Sequence, residues 1–136
     1  MTMIVANDGD YQMIEAVLNK ATPENLILKL FTNNVTPDKS FTASSLTECA
    51  AAGYAAITLA AASWTVTEGT GAGTTPTTAT YPQQTFTLTA AANIYGYYLV
   101  GATSGKLYFA ELVGGPFVIP SGGGTVKITP NITSFN

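Results

Sequence analysis

The sequence predicts an all-β domain, mainly an antiparallel sandwich or barrel of jelly-roll-like form, with one short N-terminal helix. Three observations predict it. Apolar and polar residues alternate with a period of two in one segment after another beyond Asn25. In the last third of the chain these segments recur about every ten residues, the spacing of strands joined by short turns. Glycine, proline or asparagine stands between most of them.

Taken in order, residues 1–9 read as an extended N-terminal arm, because "MTMIVA" is apolar, β-prone and too short to fold alone. Residues 10–136 form a single β-rich domain, with a helix at about 10–21. Asp10 is placed to cap that helix, and Met13, Ile14, Val17 and Leu18 share one face of it. Lys20 suits its C-terminal dipole and Pro23 ends it. "NLILKLFTN" then sets Leu26, Leu28 and Leu30 on one side of a strand and Ile27, Lys29 and Phe31 on the other. "NNVTPDKS" is a turn, and "AAITL" and "SWTVT" are two short strands.

The run "EGTGAGTTPTTATYP", residues 68–82, has no large apolar residue before Tyr81 and reads as a long loop. "QTFTLTA" follows with Phe86 and Leu88 turned in and Thr85, Thr87 and Thr89 out. "IYGYYLV", "GKLYFAELV" and "GTVKIT" complete the strands. Gly114-Gly115 and the triple glycine at 122–124 read as turn positions that need positive φ. Alternation puts Tyr95 and Tyr97 on one face with Leu99, and Tyr98 on the other.

Composition narrows the chemistry. The 136 residues are one domain's worth, 46% hydrophobic and only 10% charged. No apolar run approaches the ~20 residues of a membrane-spanning helix, so no membrane partner is expected. The five basic residues, Lys20, Lys29, Lys39, Lys106 and Lys127, are scattered through a chain of net charge −3, which argues against nucleic-acid binding. Without histidine there is no Ser-His or Cys-His pair and no imidazole metal ligand. Cys49 stands alone among small residues and reads as a small buried hydrophobe. Asp8, Asp10 and Glu15 read as complements to a helix N-terminus, and Glu48, Glu68 and Glu111 are isolated in sequence. No catalytic, cofactor-binding or metal site is therefore expected, and the chain is not expected to be an enzyme.

A surface so poor in charge points to packing against copies of itself or a partner. The tyrosines admit two readings, core packing or a binding platform for protein or sugar. Candidate partner or oligomer contacts are accordingly Met3, Ile4 and Val5 in the arm, with Trp64, Tyr95, Tyr97 and Tyr98.

The stretches "NLILKLFTNNVTP", "GYAAITLAAASWTV", "ATYPQQTFTLTAAANIYGYYLV" and "GKLYFAELVGGPFVIPSGGGTVKITPNIT" cover most of the chain after residue 24. In these the chain resembles a family of small virion proteins of tailed bacteriophages, the capsid decoration or cement proteins. The resemblance implies a β-rich homo-oligomer, with a trimer favoured. It also implies that the major capsid protein is the partner and the outer capsid surface of the virion the location. It carries no catalytic residues. The alternative is a tail-associated adhesin or carbohydrate-binding module using Trp64 and the tyrosines.

Overall fold

The computed structural model describes residues 3–72 and 75–134. Along the chain run β1 (Ile4–Val5), α1 (Asn7–Val17), β2 (Leu26–Phe31), β3 (Ile57–Leu59), β4 (Thr65–Thr67) and β5 (Thr78–Thr80). Then come β6 (Gln84–Leu88), β7 (Ala92–Gly101), β8 (Leu107–Ile119), β9 (Gly124–Ile128) and β10 (Asn131–Thr133). The protein is mostly β, with antiparallel sheets and one short helix. The main sheet has the order β1-β8-β7-β2-β3; a three-stranded sheet, β10-β5-β4, and a two-stranded one, β6-β9, accompany it.

The alternation expected in β2 is present, and both of its faces are covered. Leu28 and Leu30 pack with Leu59, Ile94, Tyr97, Leu99 and Phe109 on one side of the main sheet, against Phe86 and Leu88 of β6 and Val126 and Ile128 of β9. Phe31 joins Tyr98, Val100, Leu107 and Ala110 in a second cluster. The connection between β2 and β3 supplies its cover, through buried Leu46 and partly buried Val35, Phe41 and Ala43. That connection is held to the sheet by its backbone, Thr32 donating to the Thr47 carbonyl and Cys49 to that of Leu30. Cys49 is a buried free thiol, as its small neighbours suggested.

Four expectations need correction. The helix is Asn7–Val17 rather than about 10–21. Ala6 occupies the N-cap and Asp10 lies in the first turn, its backbone N–H donating to the Ala6 carbonyl at 2.9 Å. The start is set by docking instead of side-chain capping: Ala6 is fully buried, and Gly9 lies close against the Tyr108 backbone. At the other end Asn19 takes φ +58°, Asn19 donates to Ala16 and Lys20 to Glu15, the paired bonds of a Schellman stop. Lys20 therefore lies beyond the helix.

The extended N-terminal arm expected over 1–9 is, over its described residues, a docked edge. Ile4 pairs with Ala110 and Val5 with Phe109, and Met3 and Val5 are buried. A β-branched pair next to an open strand edge gains both ladder bonds and apolar cover. Residues 1 and 2 lie outside the described residues.

The long loop at 68–82 is largely a hairpin. β4 and β5 pair from Thr65↔Thr80 to Thr67↔Thr78, and Thr70 and Thr75 exchange backbone bonds nearer the tip. Short threonine strands escape an apolar-alternation search because their ladder is the same whatever their faces touch.

The double glycine Gly114-Gly115 is not a tight turn. β7 and β8 jump register from Gly96↔Leu112 to Ile94↔Phe117, so residues 113–116 bulge out of β8 opposite Tyr95. The bulge also breaks the expected alternation: Ile94 and Tyr97 face the first core, and Tyr95 packs on the second with Tyr98. In the triple glycine, Gly123 does take positive φ, at 88°.

Gly96 is fixed by space. A Cβ there would meet the Glu111 carbonyl oxygen and stand 2.5 Å from the Phe31 ring. Gly96→Ala should cost about 2–3 kcal/mol through overpacking, whereas Gly114→Ala, with open space around it, should change stability by less than about 0.5 kcal/mol. Urea unfolding of the two variants checks this; equal midpoints would contradict it.

Candidate functional site

α1 is the element whose surroundings depart most from its sequence. Gly9 is buried, and Met13 packs against the first core. At 100° per residue Gly9, Gln12, Met13 and Ala16 form the sheet-facing side. The missing side chain at Gly9 lets the helix sit close on β8. The side opposite is the more apolar one: Tyr11, Ile14, Val17 and Leu18 are 60%, 60%, 83% and 62% exposed. The stripe read from sequence as core-facing is thus split, with Met13 inward and Ile14, Val17 and Leu18 outward.

Charge enters this face at Asp10, which lies one turn before Ile14, between the directions of Val17 and Ile14. Asp10 pairs with Lys39 at 2.9 Å, and Asp8 with Lys106 at 3.9 Å. Tyr11 hydrogen-bonds to Glu15, and that bond with the carboxylate's charge raises the phenol pKa above its usual 10. The remaining large exposed apolar side chains among the described residues are Val66 on β4 and Phe117 and Val118 beside the β8 bulge.

Beneath α1 runs an apolar groove of about 310 Å³, lined among others by Met13, Leu26, Tyr108, Phe109 and Ile132. It adjoins a more polar hollow of about 700 Å³ lined by Glu24 with Gln12, Asn25, Thr103 and Ser104 among others. Glu24 accepts from the Thr103 N–H at 2.6 Å, from the Ser104 N–H at 2.8 Å and hydroxyl at 2.6 Å, and from the Tyr108 hydroxyl at 3.1 Å. Partial burial works to raise its pKa, but these hydrogen bonds, those from Ser104 foremost, outweigh it and hold the carboxyl below its usual value. Burial first, and then Glu24, pushes the Tyr108 phenol up to about 12. With every oxygen engaged, Glu24 is a clamp on the β7–β8 turn and offers no free base.

Glu48 and Glu111 are similarly committed. Glu48 binds Lys29 at 2.9 Å and accepts from the Tyr54 hydroxyl at 3.0 Å, while Glu111 accepts from Tyr97. Burial first, and then the bond to Glu111, raises the Tyr97 pKa. Among the described residues no three His, Cys, Asp or Glu side chains gather where a metal ion could be held, and no buried side-chain nitrogen or oxygen lacks a partner.

Comparison with protein-family models, with curated proteins and with solved structures finds no match to this chain. Its own geometry must carry the reading.

That geometry redistributes the expected contact residues. Met3, Val5, Tyr97 and Tyr98 are buried, so they cannot face a partner in the folded chain. Ile4 and Tyr95 are half-buried against the second core. Trp64 is half-buried on the first core, its ring edge-on to Tyr81 at 5.1 Å between centroids. The cause is the same throughout: the period-two pattern feeds two cores, so both rows of aromatic rings find cover. Tyr11, Ile14, Val17 and Leu18, which do face outward, were legible only through the small residues Gly9 and Ala16 on the opposite side of the helix.

The Glu24 clamp gives a pH dependence. A carboxyl whose pKa is lower in the folded than in the unfolded chain contributes stability in full above its ordinary value of 4.5. That contribution is lost as the pH falls through the folded value. Glu24→Gln should therefore be less stable than the parent near neutrality, with the gap closing on acidification below about pH 4.5. Urea midpoints for both proteins down to about pH 3 check the sign. A gap that widened toward acid would contradict it.

Proposed function

We propose that this chain is a non-enzymatic structural virion protein, a capsid decoration (cement) protein of a tailed bacteriophage. It associates with itself and with the major capsid protein on the outer surface of the head. The observation that carries the reading is the outward apolar face of α1, mounted on a charge-poor β-framework in which Glu24, Glu48 and Glu111 are engaged in structural bonds. Such a surface suits attachment through burial of apolar area, and the resemblance in the stretches quoted above supplies the virion setting.

An apolar patch of a few hundred Å² is of the size that often marks a functional contact on a protein surface. At ~25 cal/mol per Å², a few hundred Å² of buried apolar area outweighs several exposed ion pairs at ~0–1 kcal/mol each. The rival reading, a tail adhesin or carbohydrate-binding module, drew on Trp64 and the tyrosines as a platform. With Tyr97 and Tyr98 turned into the two cores, that platform loses its centre.

Purified virions washed in rising salt and, separately, in rising urea test the proposal. The chain should be present in numbers comparable to the major capsid protein. It should stay bound through about 0.5 M sodium chloride, where surface ion pairs are screened, and leave in urea. Only a few copies per particle, or release by salt alone, would count against it.

A further inference from the structure

We infer that residues 11–23, the later turns of α1 and the segment leading to β2, are a strap that moves apart from the β-framework and closes on the apolar groove beneath it, whether or not the chain belongs to a virion.

α1 is fastened at its beginning. The Ala6 N–H donates to the Tyr108 carbonyl at 3.0 Å and the Asn7 N–H to that of Lys39 at 2.8 Å. Gly9 lies against the Tyr108 backbone, and Asp10 pairs with Lys39. The chain is fastened again beyond the strap. Glu24 accepts from Thr103, Ser104 and Tyr108, and the Asn25 carbonyl accepts from the Ala102 N–H at 2.8 Å. Between these points, among the described residues, the hydrogen bonds stay within α1 and the turn that ends it. Leu18 donates to Ile14, Asn19 to Ala16, and Lys20 and Ala21 to Glu15, while Tyr11 bonds to Glu15. Neither Glu15 nor Lys20 joins an ion pair with the framework among the described residues.

The strap also has somewhere to go. α1 meets β8 closely at Gly9, where no side chain separates the two backbones. One and two turns later, Met13 and Ala16 on the same side of the helix line the groove of about 310 Å³, with Leu26, Tyr108, Phe109 and Ile132 among its other walls. Met13, Ala16, Leu26, Tyr108 and Ile132 are all half-buried. Packed interiors hold few gaps of such size, because atoms that line a gap lose their contacts on that side. Closing the strap restores those contacts and breaks no bond to the framework. Its hinges are the first turn of α1 at Gly9 and the turn at Asn19, where φ is +58°; element ends of this kind absorb such movements.

Tyr11, Ile14, Val17 and Leu18 ride on the strap. What fills the groove therefore also sets where the outward apolar face stands.

Native-state hydrogen exchange with benzene as the probe tests this. The amides of residues 14–20 should exchange through a local opening, at a lower free energy than those of β7. Benzene, which enters apolar cavities, should shift the methyl resonances of Ala16, Leu26 and Ile132. At about ten times its dissociation constant it should slow exchange of the strap amides by about tenfold, because it binds the closed strap in preference. The amides of β4 and β5 should not respond. Ala16→Leu places its added carbons in the groove, and should give similar slowing without benzene while weakening benzene binding. Ile14→Leu, a change on the outward side, should leave exchange within about twofold of the parent.

Strap amides that exchange with the same free energy as those of β7 would overturn the inference. Benzene shifts at the groove with no slowing of the strap would do so too. So would an absence of benzene binding together with an Ala16→Leu variant that exchanges as fast as the parent, since the strap would then have nothing to close on. Each of these results leaves the virion proposal where it stands.

Discussion

Two-sided burial of β7 is the constraint on which the rest of the structure depends. Its backbone is shared between β2 and β8, and its side chains feed two separate cores. Ile94, Tyr97 and Leu99 face the layer made by β6 and β9; Tyr98 and Val100 face the β2–β3 connection. A slip of one residue would exchange every one of these environments. Gly96 guards the register further, because it is the position where the Phe31 ring and the Glu111 carbonyl leave no room for a side chain.

Several features follow from that demand. The β2–β3 connection has to act as a wall, so it carries Val35, Phe41 and Leu46 and is tied down by backbone bonds to β2. The β8 bulge relieves the ladder where Tyr95 must turn into the second core beside Tyr98. The buried tyrosine hydroxyls find carboxylates at the margins, Tyr97 at Glu111 and Tyr54 at Glu48, which engages these carboxylates structurally. With both faces of the sheet already covered, α1 is left at the β8 edge, where a close approach through Gly9 is enough to dock it. Its larger apolar side chains then have nowhere to go but outward.

Much of the fold was legible because period two is a strong signal when side chains are large. Leu28 and Leu30, or Phe86 and Leu88, declare their strands directly, and the structure buries each of them. The errors have physical causes. Asp10 looked like a cap, yet docking of Ala6 and Gly9 began the helix one turn earlier. Alternation through Tyr95 failed where the β7–β8 ladder changes register between Ile94 and Gly96. The β4–β5 hairpin was hidden because its threonines have no apolar row to betray it. The candidate surface was half legible: the stripe Met13, Ile14, Val17, Leu18 was visible, but its direction was not. A hydrophobic stripe says that a face will be covered, and only the packing of Gly9 and Ala16 says that the chain itself does not cover it.

Residue-resolved hydrogen exchange in the native state tests most directly the claim that β7 and its two cores hold the protein together. The amides of Leu28, Leu30, Tyr97, Tyr98 and Leu99 should exchange only through global unfolding, with one common free energy. The amides of β4, whose residues are exposed, and of its partner β5, half-buried, should exchange through local opening at a lower one. Exchange of the β7 amides ahead of the β4–β5 hairpin would contradict the account.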